Sequence, residues 1–275
     1  MTAQMRRTTI KYEPYKKRHL LPGALPFVIG TLLYLTALAP VLPKMFRLPS
    51  LVLVFVLMVG STIGFSWLGA TLQRTQIERW RLVLPPTLLV SGAFLFHMLV
   101  GTPLARFVIV TAVMLLLFGY LMRLDSLKET ADQSSSEVLR FARLTTMVGV
   151  FFLSVFVFAI RQFTNVSTAL IAILLLLVLV AVSYDALMQA KDIDYDLRRL
   201  TALAIGVLAT ELYVGLSFLP TAYLVNAAVL VLGYFACLRA AIRILHGDLG
   251  TKELRLGLWA ALILIVVLLA TARWA

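Results

Sequence analysis

The chain reads as a succession of long, unbroken apolar runs separated by short polar breaks. A helix needs about 20 mostly apolar residues to cross the hydrocarbon of a bilayer. Nine stretches meet that length, at 21–42, 50–70, 83–102, 106–122, 146–164, 168–187, 200–219, 222–242 and 256–273. The runs are continuous rather than alternating, which predicts helices and not the strands of a barrel. The short gaps predict neighbouring spans packed as antiparallel hairpins. Between spans seven and eight, Leu219-Pro220-Thr221 supplies the break, because proline removes a helical hydrogen bond. The longest polar stretch, 123–145, contains Ser134-Ser135-Ser136-Glu137, a capping box with Ser134 at the N-cap and Glu137 at N3. It predicts a turn at 129–134 and a helix running on into span five, a connector and not a catalytic domain. The organisation is then a basic cytoplasmic segment, 1–20, followed by one transmembrane domain, 21–275.

Composition agrees with the pattern. Of 275 residues, 61% are hydrophobic and 14% charged, against about 25% charged in a soluble chain. A soluble enzyme, a disordered chain and a disulfide scaffold are excluded. The single cysteine, Cys237, permits no internal disulfide. Net charge alters the picture more. A value of +12 would point to nucleic acid if it were gathered in one domain. Here it is scattered over the loops, so no nucleic-acid partner is expected. With nine spans, 20 of the 25 Lys and Arg fall on the side of the N-terminus, and only Lys44, Arg47, Arg106, Arg161 and Arg273 fall on the other. Basic residues mark the inner side. The expected fold is therefore all-α, a polytopic transmembrane helix bundle of about nine spans in the cell membrane, N-terminus inside and C-terminus outside. The basic start and Ala37-Leu38-Ala39 imitate a cleavable signal, but Pro40 would follow the cut, and an uncleaved first span is expected.

Candidate chemistry is sparse. Twelve of the 13 acids lie in inner segments or at inner helix ends; the exception is Glu211, inside span seven. An ionisable group at membrane depth marks a function by default, or else a buried hydrogen bond between helices. His97 is either a satisfied bundle residue or a proton relay. Arg106 and Arg161 stand at outer helix ends, where an arginine snorkels to the interface or faces a cavity. Asn226 needs a hydrogen-bond partner wherever it is buried; Tyr213, Ser217 and Tyr223 share its level and fit an aromatic belt or a site. Candidate substrate-binding residues are thus Glu211, His97, Arg106, Arg161 and Asn226. Gathered around one outward-facing cavity, they would favour an anion or a proton-linked step.

Other motifs read as structure. Asp192-Ile193-Asp194-Tyr195-Asp196 lacks the glycine and the final glutamate of a calcium loop. It reads as a solvated cluster at a helix start, with Asp194 four residues before Arg198 in ion-pair order. Gly60-Ser61-Thr62-Ile63-Gly64 predicts close helix packing, within the chain or in a dimer. Leu84–Ser91 resembles Leu219–Asn226, at spans three and eight, the arithmetic of an inverted repeat around span five. There is no phosphate loop, zinc-protease helix, nucleophile elbow or haem motif. No catalytic residue, metal or cofactor is expected, and an enzyme is the third choice.

Glu211, Leu216-Ser217-Phe218-Leu219-Pro220-Thr221, Tyr223, Asn226 and the closing Ala270-Thr271-Ala272-Arg273-Trp274 resemble an uncharacterised, domain-of-unknown-function family of bacterial multi-span integral membrane proteins, over the last third of the chain. The resemblance implies a helical protein of the bacterial inner membrane and carries over no activity. Two functions are expected in order. The first is a small transporter or flippase with a polar site in the outer half around Glu211, taking a small-molecule or lipid-linked substrate. The second is a non-catalytic structural or accessory subunit with a membrane protein partner. The lipid bilayer is a partner in either case.

Overall fold

A computed structural model describes residues 20–36, 44–69, 76–126, 134–188, 194–247 and 252–272. Among them are nine helices and no strand: α1 (Leu20–Leu35), α2 (Lys44–Gly69), α3 (Gln76–Leu99), α4 (Pro103–Ser126), α5 (Ser134–Phe163), α6 (Thr168–Met188), α7 (Tyr195–Leu216), α8 (Tyr223–Leu245) and α9 (Lys252–Thr271). Eight of them, α2 to α9, are long and apolar enough to cross a membrane. Their outward faces carry exposed Leu104, Phe107, Leu174, Leu177, Leu200 and Trp259. Such a surface belongs in hydrocarbon, and the protein is a multi-pass integral membrane protein.

The first expected span differs. α1 has 16 residues, about 24 Å of helix against about 30 Å of hydrocarbon. The remainder of 21–42, from 37 on, lies outside the described residues, as do most of the basic segment 1–20, Asp192 and Arg273. The expected helix into span five is present, for α5 starts at Ser134 and runs 30 residues. α7 ends at Leu216, ahead of the Pro220 break.

α5 is the shared wall of two cores. It gives Val138, Ala142 and Phe152 to a core with α1–α4, and Val150, Val155 and Phe158 to a core with α6–α8. α3 and α8, which carry the two similar segments, flank α5 most broadly. The halves do not share one packing scheme, since α1 lies along α4 while α6 keeps no comparable contact with α9.

Close approach occurs at glycines other than the expected ones. A Cβ on Gly92 would sit 2.6 Å from the Gly149 carbonyl, and one on Gly149 would sit 2.8 Å from the Leu89 nitrogen. α3 and α5 therefore touch backbone to backbone. Gly60 and Gly64 have nothing within 4 Å, so the two glycines pack against no helix among the described residues. The expectation of packing within the chain is corrected: α2 meets its neighbours on another face, through Met58 and Thr62. The Asp194–Arg198 pair is corrected as well. Asp194 is the N-cap of α7, its carboxylate accepting from the Tyr195 N–H at 2.9 Å, and the Arg198 guanidinium turns to the Met188 sulfur at 3.3 Å.

Pro85 and Pro86 lie inside α3. Pro86 has no N–H to give the Leu82 carbonyl four residues back. The Tyr120 hydroxyl of α4, fully buried, donates to that carbonyl instead, at 2.6 Å. Tyr120→Phe is expected to cost about 1–3 kcal/mol, the penalty for an orphaned buried carbonyl. The double variant with Pro86→Ala, which restores the helical donor, is expected to recover most of it. Thermal unfolding of the four proteins in detergent checks this; equal losses with and without Pro86 would refute it.

Candidate functional site

The bundle has a basic end, with Arg81, Arg123, Arg140 and Arg199, and an opposite end marked by Pro220. At the Pro220 end a cavity of about 520 Å³ is lined by Phe158, Arg161 and Gln162 of α5, by Ser217, Leu219, Pro220, Thr221 and Ala222 of the α7–α8 link, and by Tyr223 and Asn226 of α8. Pro220 builds it: by stopping α7 at Leu216 it leaves six residues to turn before α8, and the turn stands away from α5.

Asn226 holds that turn. It is 4% exposed. Its Nδ2 donates to the Leu216 carbonyl at 3.2 Å, and its Oδ1 accepts from the Thr221 hydroxyl. The need for a partner is thus met locally, and Asn226 closes the end of α7 onto the start of α8. The Ser217 hydroxyl is also spent, on the Val214 carbonyl at 2.7 Å. The Tyr223 ring meets Phe163 edge-on, with centroids 5.9 Å apart.

The uncommitted group is Arg161. Its Nε is buried and has no hydrogen-bond partner, and no acid pairs with it among the described residues. Its charge acts on Tyr213 of α7, whose hydroxyl is buried and also unpartnered. Tyr213 is fully buried, with its ring 4.9 Å from Phe158; it is no member of an outward belt. The guanidinium, at the cavity wall without an acceptor, is a donor available to an anion; Tyr213 does not line the cavity.

The other sequence candidates lie elsewhere. His97 is 2% exposed on α3, and neither ring nitrogen has a partner. Arg106 is the charge that acts on it, but the Arg106 Nε donates to the Val100 carbonyl at 2.7 Å and closes the α3–α4 turn. Glu211 is exposed on α7, in line with Leu200, Leu203, Val207 and Leu208. It lines neither cavity and has no partner among the described residues. Five residues separate it from the end of α7, about 7.5 Å along the helix. Two of the five candidates, Arg161 and Asn226, are brought together; His97 and Arg106 form a separate pair, and Glu211 stands alone.

One charged pair is missing from the sequence reading. Asp185 of α6 meets Arg81 of α3 across the two halves, at 3.6 Å. From sequence it counts as an ordinary helix-end acid. The signal is the expected span itself: 168–187 already contains Asp185, two residues from its end, and α6 runs on to Met188. No three His, Cys, Asp or Glu side chains gather as metal ligands would among the described residues.

No family model, curated protein or solved structure matches this chain.

Proposed function

We propose that the protein is a small transporter or flippase for an anion or an anionic headgroup, with its N-terminus in the cytoplasm and its binding site at Arg161 and Asn226 in the outer half. One observation carries the reading: the Arg161 guanidinium faces a cavity without an acceptor. An unpaired cation at the edge of hydrocarbon is costly, and an anionic ligand offsets that cost. The placing of the termini rests on the lysine and arginine bias.

The test uses the purified full chain in detergent with inorganic phosphate, sulfate and acetate as probes. A ligand at a hundred times its Kd adds about 2.7 kcal/mol of stability. At least one anion is expected to raise the unfolding midpoint of the wild type, and Arg161→Gln is expected to abolish the rise. The same anion should enter liposomes holding the wild type and not those holding Arg161→Gln. The reading fails if no anion stabilises the wild type, or if the variant responds equally.

Glu211 favours the second reading, an accessory subunit. A lone carboxylate on an apolar face fits a partner helix that carries a donor at the same depth. That reading predicts a partner that co-purifies in mild detergent with the wild type and is lost in Glu211→Leu.

A further inference from the structure

The second cavity lies at the basic end and owes nothing to the Arg161 site. Of about 310 Å³, it has apolar walls from Ile63 of α2, Val83 and Leu84 of α3 and Met188 of α6, leading to Arg81 and Asp185. α6 packs broadly on α7 and makes no comparable contact with α2 or α3. The cavity is therefore a cleft in the seam between the halves. Arg81 opens one apolar stretch, Arg81–Leu99, and Asp185 stands in the last turn of another, Thr168–Met188. Both belong at headgroup level.

The two charges do not satisfy one another. Their separation of 3.6 Å is an ion-pair distance, longer than a hydrogen bond. Arg81 Nε is buried without a hydrogen-bond partner, and the Asp185 carboxylate accepts no hydrogen bond among the described residues. Asp185 also sits at the negative end of the α6 dipole, where a carboxylate is disfavoured and a cation favoured. The last carbonyls of α6 add acceptors without intrahelical donors.

We propose that this cleft binds a zwitterionic phospholipid with a primary ammonium, of the phosphatidylethanolamine type. Its phosphate meets Arg81, its ammonium meets Asp185, and its acyl chain lies along Val83, Leu84, Ile63 and Met188. The charges select the head: a lipid with only an anionic head leaves Asp185 facing negative charge, and a choline head has no N–H to donate to a carboxylate.

The experiment is native mass spectrometry of the purified full chain with dioleoyl phosphatidylethanolamine, phosphatidylglycerol and phosphatidylcholine added in equal amounts. The wild type is expected to retain phosphatidylethanolamine about tenfold over the other two. Asp185→Asn should erase the preference over phosphatidylglycerol while phosphate-bearing lipids are still retained, and Arg81→Gln should weaken all three. Ile63→Trp, which fills the cleft and leaves both charges in place, should lower phosphatidylethanolamine retention, and it decides the matter if the charge variants do not fold. Equal retention of the three lipids by the wild type would overturn the proposal, as would an unchanged preference in Asp185→Asn. Displacement of the lipid by an equal concentration of soluble phosphoethanolamine would also overturn it, assigning the cleft to a soluble zwitterion.

Discussion

Gly149→Leu is expected to lower stability by about 3 kcal/mol or more, the upper part of the range for an overpacked core. A Cβ at Gly149 meets Leu88 and Leu89 backbone atoms within 3.0 Å, and backbone cannot swing aside as a side chain does. α3 and α5 must separate, and the core residues on both sides of α5 separate with them. The unfolding midpoint in detergent should fall on the order of 10 °C. Gly60→Leu is the control: nothing lies within 4 Å of its added Cβ, so its midpoint should stay within a degree or two of the wild type. Similar midpoints for the two variants would mean that α3 and α5 are not in backbone contact.

Asn226→Leu is expected to act on stability and on the site together. The substitution leaves the Leu216 carbonyl and the Thr221 hydroxyl without their partner. Each orphaned group costs about 1–3 kcal/mol where it is buried. Thr221 is 6% exposed, so water replaces little of the loss. The turn that walls the cavity then loosens, and the anion response should disappear along with the stability. Arg161→Gln should separate the two effects, losing the anion response at nearly wild-type stability, because Arg161 makes no bond that the variant breaks. Asn226→Asp keeps the acceptor for Thr221 and loses the donor to Leu216, so it should fall between wild type and Asn226→Leu. An anion response that survives in Asn226→Leu would show that the α7–α8 turn is not part of the site.

The spans and the Pro220 break were readable from the chain because they depend on local sequence: run length, continuity and a missing N–H. The start of α5 was readable to within a residue for the same reason: Ser134, the expected N-cap, is its first helical residue. Faces were not. Glu211 could be placed by depth, but whether it points to a cavity depends on which side of α7 its neighbours cover. α6 and α8 cover two sides and leave the one with Glu211 bare. Gly60 and Gly92 look equally fit for close packing, and only the partner helix distinguishes them. Arg161 and Asn226 could be assigned to one level; that they share a cavity follows from α5 packing on α8, a contact between residues about 65 positions apart in sequence. Asp185 already stood near the end of the expected span 168–187; that it meets Arg81 depends on which faces of α6 and α3 look across the seam, and run length does not give that.

The position of α5 also bears on how the protein is made. Membrane helices leave the ribosome in order, N-terminal first. When α1–α4 have emerged, their core still lacks Val138, Ala142 and Phe152, so the flank that α5 covers is open. It closes once α5 arrives, and α5 then offers Val150, Val155 and Phe158 as a ready surface on which α6–α8 assemble. The fifth helix is thus the last piece of one assembly step and the template of the next. A nascent chain stalled before it leaves the ribosome would present the membrane's quality-control proteases with four helices and an open flank.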